Sequence, residues 1–295
     1  MSRRGYCTPV RLWRAFLFAG ILIPAVWAGP PSQSIRPPPD YVQWGKPDQA
    51  EGARILQEFR QLGLAGDYYL DFQLRVLPRR GDEKDFRGRF WGSRTAQGPV
   101  SRVELFDAKG AVHRLLIQNG VTPQVWSWRD GQDAVEAPSL DHLFEPLLPG
   151  TELTLFDLEM PYLYWNDFVF EGVSKVRGRP AHTFLLYPPP EIAAKYPELK
   201  GVRVQLDTQY HALVQSQLIN ADNRPYKSFT VLDLKKISDQ WMVKMIDLRN
   251  EETRNKTRFQ VTAAAVKLDL APSVFAPANL SEMVFPPDPL VPLGN

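Results

Sequence analysis

The chain has 295 residues, 44% hydrophobic and 23% charged, which is enough apolar material for one large core or two small ones. The composition excludes a collagen, a coiled coil and a low-complexity chain. The formal charge is +2, but four of the 35 basic residues lie in the first 28 positions; without them 31 basic residues face 33 acidic ones, and a net of −2 argues against a dedicated nucleic-acid binder.

Those four residues, Arg3, Arg4, Arg11 and Arg14, form a positive n-region, and Ala15 to Val26 is an apolar run of signal-peptide length. Val26-Trp27-Ala28 places small residues at −3 and −1 of a cleavage site before Gly29. A single anchor helix is the alternative, and Pro24 and the short apolar run argue against it. The only cysteine, Cys7, precedes the apolar run, so it is not the acylated cysteine of a lipoprotein. The cleaved chain has no disulfide, thiolate metal site or cysteine nucleophile, which fits a bacterial periplasm. No later run of about 18 apolar residues predicts a membrane span.

Residues 29–47 read as a Pro-rich leader. Asp48-x-x-Glu51 has capping-box spacing, and Ile55, Leu56, Phe59 and Leu62 follow at helical intervals up to Gly63, which predicts a helix over 49–62. From Tyr68 the period becomes two: Leu70, Phe72, Leu74 and Val76 alternate with Asp71, Gln73 and Arg75, giving one apolar and one wet sheet face. Strand-like runs follow at 86–92, 100–106, 111–118 and 123–128, separated by tight turns that imply an antiparallel meander.

Residues 138–167 interrupt this rhythm. Four prolines break the stretch into short helical pieces, yet it carries Leu143, Leu147, Leu148, Phe156, Met160, Leu163 and Trp165, more apolar surface than a loop needs. It reads as a lid, with Leu147, Leu148, Phe156, Met160, Leu163 and Trp165 facing inward. Strands resume at 168–176, 181–187, 202–207, 212–219, 226–237, 240–249 and 256–269, with one helical turn near Glu191 to Lys195. The absence of βα alternation excludes a doubly wound fold. The chain divides into a signal (1–28), a leader (29–47), one domain (48–284) and a loose Pro-rich tail (285–295).

Chemistry is sparse. His113, His142, His182 and His211 lack metal spacing, and no H-E-x-x-H, P-loop, EF-hand or G-x-S-x-G motif occurs. His113 and His182 read as solvated strand residues. Asp157 and Glu159 fit a helix cap and a solvated neighbour, with a general acid–base pair as the alternative. Arg75 to Arg114 holds ten basic and five acidic residues, either solvating an outer sheet face or forming a docking surface for an anionic partner. About twelve strands with an apolar face either fill a solid core or curl around a space suited to an acyl chain. Leu70, Phe72, Leu74 and Val76, joined by Phe184 and Leu186, are the expected cavity lining.

The order of further features resembles the outer-membrane lipoprotein-sorting protein family, built on the LolA-like periplasmic carrier fold. These are Gly150-Thr-Glu-Leu-Thr154, Asp157-Leu158, Tyr162-Leu-Tyr-Trp165, Gly172, Gly178-Arg-Pro180, the strand from His182, Val202 to Asp207 and Leu213 to Gln217. Phe229, Lys235-Lys236 through Trp241, Met245 and Thr257 continue the series, so that the likeness spans about 50–282. It implies a mainly β fold with some α: a large curled antiparallel sheet, an incomplete and unclosed β-barrel, with an N-terminal helix and short lid helices over its concave face. It further implies an apolar interior that shelters lipid acyl chains, and an arginine that helps hold the lid, which no motif here identifies. The expected function is a periplasmic binding protein for acyl chains of lipoproteins or lipids, sorting or transporting them to the outer membrane. A sensing or interaction protein on the same fold is the alternative. Its partners would be membrane-bound donor and acceptor proteins, with no nucleic acid, metal or cofactor, no catalysis, and a monomeric state.

Overall fold

The computed structural model describes residues 46–120 and 122–294, so the expected signal and almost all of the leader lie outside the described residues. Helix α1 (Gln49–Gln61) starts where Asp48 accepts the N–H groups of Ala50 and Glu51. Glu51 does not complete a capping box; its carboxylate turns to Arg54. Gly63 is not the C-terminal cap either. The chain leaves the helix extended at Leu62, and Arg94 donates to the carbonyls of Arg60 and Leu62, satisfying two otherwise orphaned acceptors.

The strands are β1 (Asp67–Leu77), β2 (Lys84–Thr95), β3 (Gly98–Phe106), β4 (Val112–Gln118), β5 (Gln124–Arg129), β6 (Phe168–Val176), β7 (Arg179–Leu186), β8 (Gly201–Asp207), β9 (Leu213–Ile219), β10 (Pro225–Ile237), β11 (Gln240–Asn250), β12 (Lys256–Leu268) and β13 (Val291–Pro292). They form one antiparallel sheet in the order β5-β4-β3-β2-β1-β12-β11-β10-β9-β8-β7-β6, with β13 on β12. Two meanders thus meet at the β1–β12 pair. β5 and β6 remain edges, so the sheet curls without closing and is not a true barrel. The tight hairpins follow from turn chemistry: at β6–β7, Arg177 and Gly178 both take positive φ (48° and 86°), the geometry whose twist matches paired strands.

Inside the curl lies the main core. Phe72, Leu74, Val76, Phe86, Val103, Leu105, Leu115 and Ile117 come from the first meander; Phe170, Phe184, Leu186, Val202, Val204, Leu218, Phe229 and Leu248 come from the second. Gly88 leaves room for the Phe72 ring, which a Cβ would strike. Ile55 and Leu56 of α1 dock on the same face.

The outer face of the first meander is wet only in part: Arg75, Asp85 and Arg87 are exposed, but the rest is covered. Every residue of β4 is buried. Residues 269–294 form a strap across this face, with 3-10 turns at Pro272–Phe275 and Pro277–Asn279. Val274 packs on Tyr69 and Trp91, and Leu280 on Val100 and Leu116. Nor is the tail loose: β13 pairs with Ala263 and Ala264, and Leu293 is buried. Two cations expected on the surface are therefore interior. Arg102 is 0% exposed; it donates to the carbonyls of Asn279, Leu280 and Glu282 and to Glu104. Arg114 donates to Glu104 (3.0 Å) and to the Ser281 carbonyl (2.5 Å). The proposed basic docking surface loses both.

Candidate functional site

The lid crosses the concave face. It begins with a 3-10 turn, Leu140–His142, and folds back on itself: Phe156 donates its N–H to Leu143 O (3.0 Å) and Leu147 to Leu153 O (2.8 Å). Helix α2 (Leu155–Glu159) is only one turn long, but a full capping box closes its start. Thr154 Oγ1 accepts from the Asp157 N–H, and Asp157 Oδ2 accepts from Thr154 N. It ends at Met160, left-handed with φ 46°, because Pro161 disfavours a helical residue before it and has no N–H to continue the ladder. A 3-10 turn, Pro161–Tyr164, follows.

An aromatic chain fills the space beneath. Phe144 and Phe156 lie 4.5 Å apart between centroids, Phe156 and Tyr162 5.5 Å, and Tyr162 and Trp165 6.3 Å. The Tyr162 hydroxyl meets Ser216 Oγ of β9 at 2.9 Å, and burial pushes its pKa up. Leu148, Phe156 and Trp165 belong to the core that holds Phe72, Leu74, Val76, Phe184 and Leu186; Leu147, Met160 and Leu163 are half-buried against it. Leu70 is elsewhere, in a second cluster with Ile237, Met242, Val261, Ala264 and Leu293. β1 itself keeps its alternation here, since its register with β2 is unbroken and the residue skipped against β12 is Thr262; Leu70 shares the face of Phe72 but packs nearer the β10–β11 hairpin and the tail.

Two cations clasp the lid. Lys227, on the concave face of β10, places Nζ 2.5 Å from Asp157 Oδ2 and 3.4 Å from Thr154 Oγ1. Both partners are buried. At the far end, Arg60 of α1 donates to the carbonyls of Leu163 (2.5 Å) and Trp165 (2.8 Å), with its guanidinium 5.8 Å from the Tyr164 ring. Neither clasp emerged from sequence motifs. Lys227 carried one signal: it shares its strand face with Phe229, an odd place for a lysine unless it is paired.

No curated protein matches the chain. A family model described only as "Uncharacterized protein" matches residues 147–282. Among solved structures, an outer membrane lipoprotein-sorting protein domain from Vibrio parahaemolyticus superposes with TM-score 0.66 at 15% identity, covering 77% of this chain and 97% of that one. A DUF1329 family protein from Desulfovibrio piger gives 0.66 at 13% identity, covering 80% and 100%. A LolA superfamily protein from Nitrosomonas europaea gives 0.56 at 11%, covering 76% and 96%. The chain has the LolA fold.

The remaining polar candidates sit differently from their sequence expectations within this LolA-type sheet. His113 is buried, not solvated; it meets Ser127 Oγ at 2.9 Å, and burial lowers its pKa to about 4. His182 and His211, 29 positions apart, come within 5.8 Å between ring centroids, and His211 lies 3.7 Å from Glu58. No group of three or more potential metal ligands exists among the described residues. Asp157 and Glu159 do not act as a pair: the first serves the capping box and Lys227. Glu159, expected to be solvated, is buried in a cavity of about 350 Å³ between the lid and β5. A second cavity, of about 440 Å³, opens on the outer side of β1 and β2 beside Arg87 and Arg89.

Proposed function

We propose that the protein is an exported periplasmic binding protein that shelters acyl chains of lipoproteins or other lipids beneath its lid, on the way to the outer membrane. The observation that carries this reading is the lid itself, an apolar segment filling the concave face of an unclosed sheet. Its aromatic chain occupies the volume an acyl chain would need, and ligand entry would exchange one set of apolar contacts for another. Lys227 and Arg60 hold the lid through a few polar contacts, so opening disrupts local bonds without unpairing a strand. The fold shared with a lipoprotein-sorting domain supports the same reading. On this view Phe72, Leu74, Val76, Phe184 and Leu186 line the site. Membrane-bound donor and acceptor proteins would load and unload a monomeric carrier.

The experiment is hydrogen exchange across 143–165, titrated with a fatty-acyl ligand, alongside mass spectrometry of lipids that copurify with the exported protein. Copurifying acyl lipids and exchange that changes with ligand are the expected results. A second reading is favoured by one observation: the space under the lid is filled, with Phe156 and Phe184 at 0% exposure. That suits a lipid- or lipoprotein-sensing interaction protein without transport. Slow exchange indifferent to ligand, with no lipid recovered, would select it.

A further inference from the structure

The cavity around Glu159 lies on the side of the lid that faces the open edge of the sheet. Its walls are Pro123, Val125 and Trp126 of the β5 edge, Pro138, Leu140 and Leu143 of the lid's start, and Leu155 of α2. At about 350 Å³ it falls at the small end of ligand sites. Among its described lining residues, Gln124, Ser139 and the indole of Trp126 are the other polar side chains, and Glu159 is the titratable one. Glu159 is 8% exposed and takes no hydrogen bond or ion pair from the described residues. A carboxylate left this way in an apolar wall is costly, and a structure that tolerates it leaves a strong unmet demand for a cation or a proton. Burial alone raises its pKa to about 7. Asp141 and His142, which follow the lining residue Leu140 in sequence, already have partners: Asp141 pairs with Lys195, and His142 with Glu145.

We infer that this cavity is a binding site for a small amphiphile bearing a protonated primary amine, its alkyl chain against Val125, Leu140, Leu143 and Leu155 and its ammonium on Glu159. An ammonium supplies both things the site lacks, a positive charge and three donors. A fatty acid would bring a second negative charge to the same wall, and an alcohol would leave the charge unpaired. The inference stands apart from acyl binding on the concave face, because none of the proposed lining residues of that face borders this cavity.

The test is calorimetry with octylamine, octanol and octanoate, each soluble as monomers. At pH 8 octylamine should bind at least tenfold tighter than octanol, and octanoate should not bind. Octylamine stays protonated between pH 8 and 5.5, whereas Glu159 takes up a proton, so its affinity should fall over that range. Glu159→Gln should abolish both the preference and the pH dependence while leaving octanol unchanged. Leu140→Lys, at the exposed rim of the same cavity, should suppress octylamine through a resident ammonium, and it covers the case in which Glu159→Gln misfolds. Octylamine binding that is equal to octanol in the wild type, flat with pH, or unaffected by both variants would overturn the inference.

Discussion

Two segments cover the sheet, and they are attached differently. The strap, 269–294, lies on the outer face of the first meander; the lid, 143–165, lies on the inner face of both. Each buries large apolar side chains, so burial alone does not distinguish them. Their polar anchors do. Strap carbonyls converge on guanidinium groups inside the sheet, and β13 adds strand pairing to β12. The lid has one buried ion pair at its α2 end, one partly buried arginine at the other, and two single hydrogen bonds to the sheet, Glu152 N–H to Thr257 Oγ1 and the Tyr162 hydroxyl with Ser216 Oγ. Removing the strap would expose Arg102 and Glu104 together with a hydrophobic sheet face, whereas lifting the lid lets Asp157 and Lys227 each reach water. The strap is therefore part of the global fold, and the lid is a candidate for local opening.

The largest effect should come from Arg102→Met. Glu104 keeps Arg114, but the strap carbonyls lose their donor in a dry site. Breaking such a buried arrangement from one side costs about 3–5 kcal/mol, read as a lower urea midpoint at unchanged slope. A loss below about 1 kcal/mol would mean that the strap lifts as easily as the lid.

Glu159 should give the next effect, with the opposite sign. Its folded pKa, about 7, lies above its ordinary value of 4.5, so between those values the folded state holds a proton that the unfolded state has released. Stability is then fully present below pH 4.5 and falls as pH rises toward 7, by up to about 3 kcal/mol. Glu159→Gln should be more stable than the wild type at pH 8 and equal to it at pH 4, by thermal or urea unfolding at both pH values. If the lid opens locally, the gain will be smaller than the linkage figure, which makes the measurement a gauge of lid stability.

What could be read from the sequence follows the same division. Period-two alternation and tight turns located all twelve main strands to within a few residues, because hairpin pairing is set by local chemistry. The apolar excess between prolines marked the lid for the same reason. The strap was not legible, since it depends on a contact between positions about 180 apart, Arg102 with Glu282. Only Tyr69 and Trp91, large aromatics at positions of the expected wet face, hinted that something covers it. Arg102 and Glu104 looked like surface charges because alternation reports which face a side chain points to, not what lies over that face. The lid clasps were hidden similarly: Lys227 and Asp157 are 70 positions apart. Leu70 follows the period-two alternation of β1, but its neighbours Ile237, Met242 and Leu293 come from distant segments that alternation within β1 does not report.

Lys227→Met follows in size. It leaves Asp157 buried with its capping-box bonds but no counter-charge. Were the lid fixed, the cost would match Arg102→Met. Because the lid can lift and hydrate the carboxylate, the global loss should stop at about 1–3 kcal/mol, and exchange of the 154–160 amides should accelerate well beyond that of β4. Equal acceleration in both places would mean that lid and sheet unfold as one unit.

The smallest effect belongs to Arg60→Ala. Arg60 is only partly buried, so water can replace it at the carbonyls of Leu163 and Trp165, and the expected loss is about 1 kcal/mol. Its value lies in combination. If 143–165 moves as one body, either clasp alone still holds the segment, and the double variant with Lys227→Met should raise exchange across the whole lid by more than the two single effects added. Strict additivity would mean two independent flaps: α2 held by Lys227, and the Pro161–Tyr164 turn held by Arg60 together with the Tyr162–Ser216 hydrogen bond. An acyl chain could then enter under one end while the aromatic chain at the other stayed in place. Trp165 sits beside the Arg60 clasp, so its fluorescence would change in the Arg60 variant and stay constant in the Lys227 variant if the flaps are independent. It would change in both if they are not.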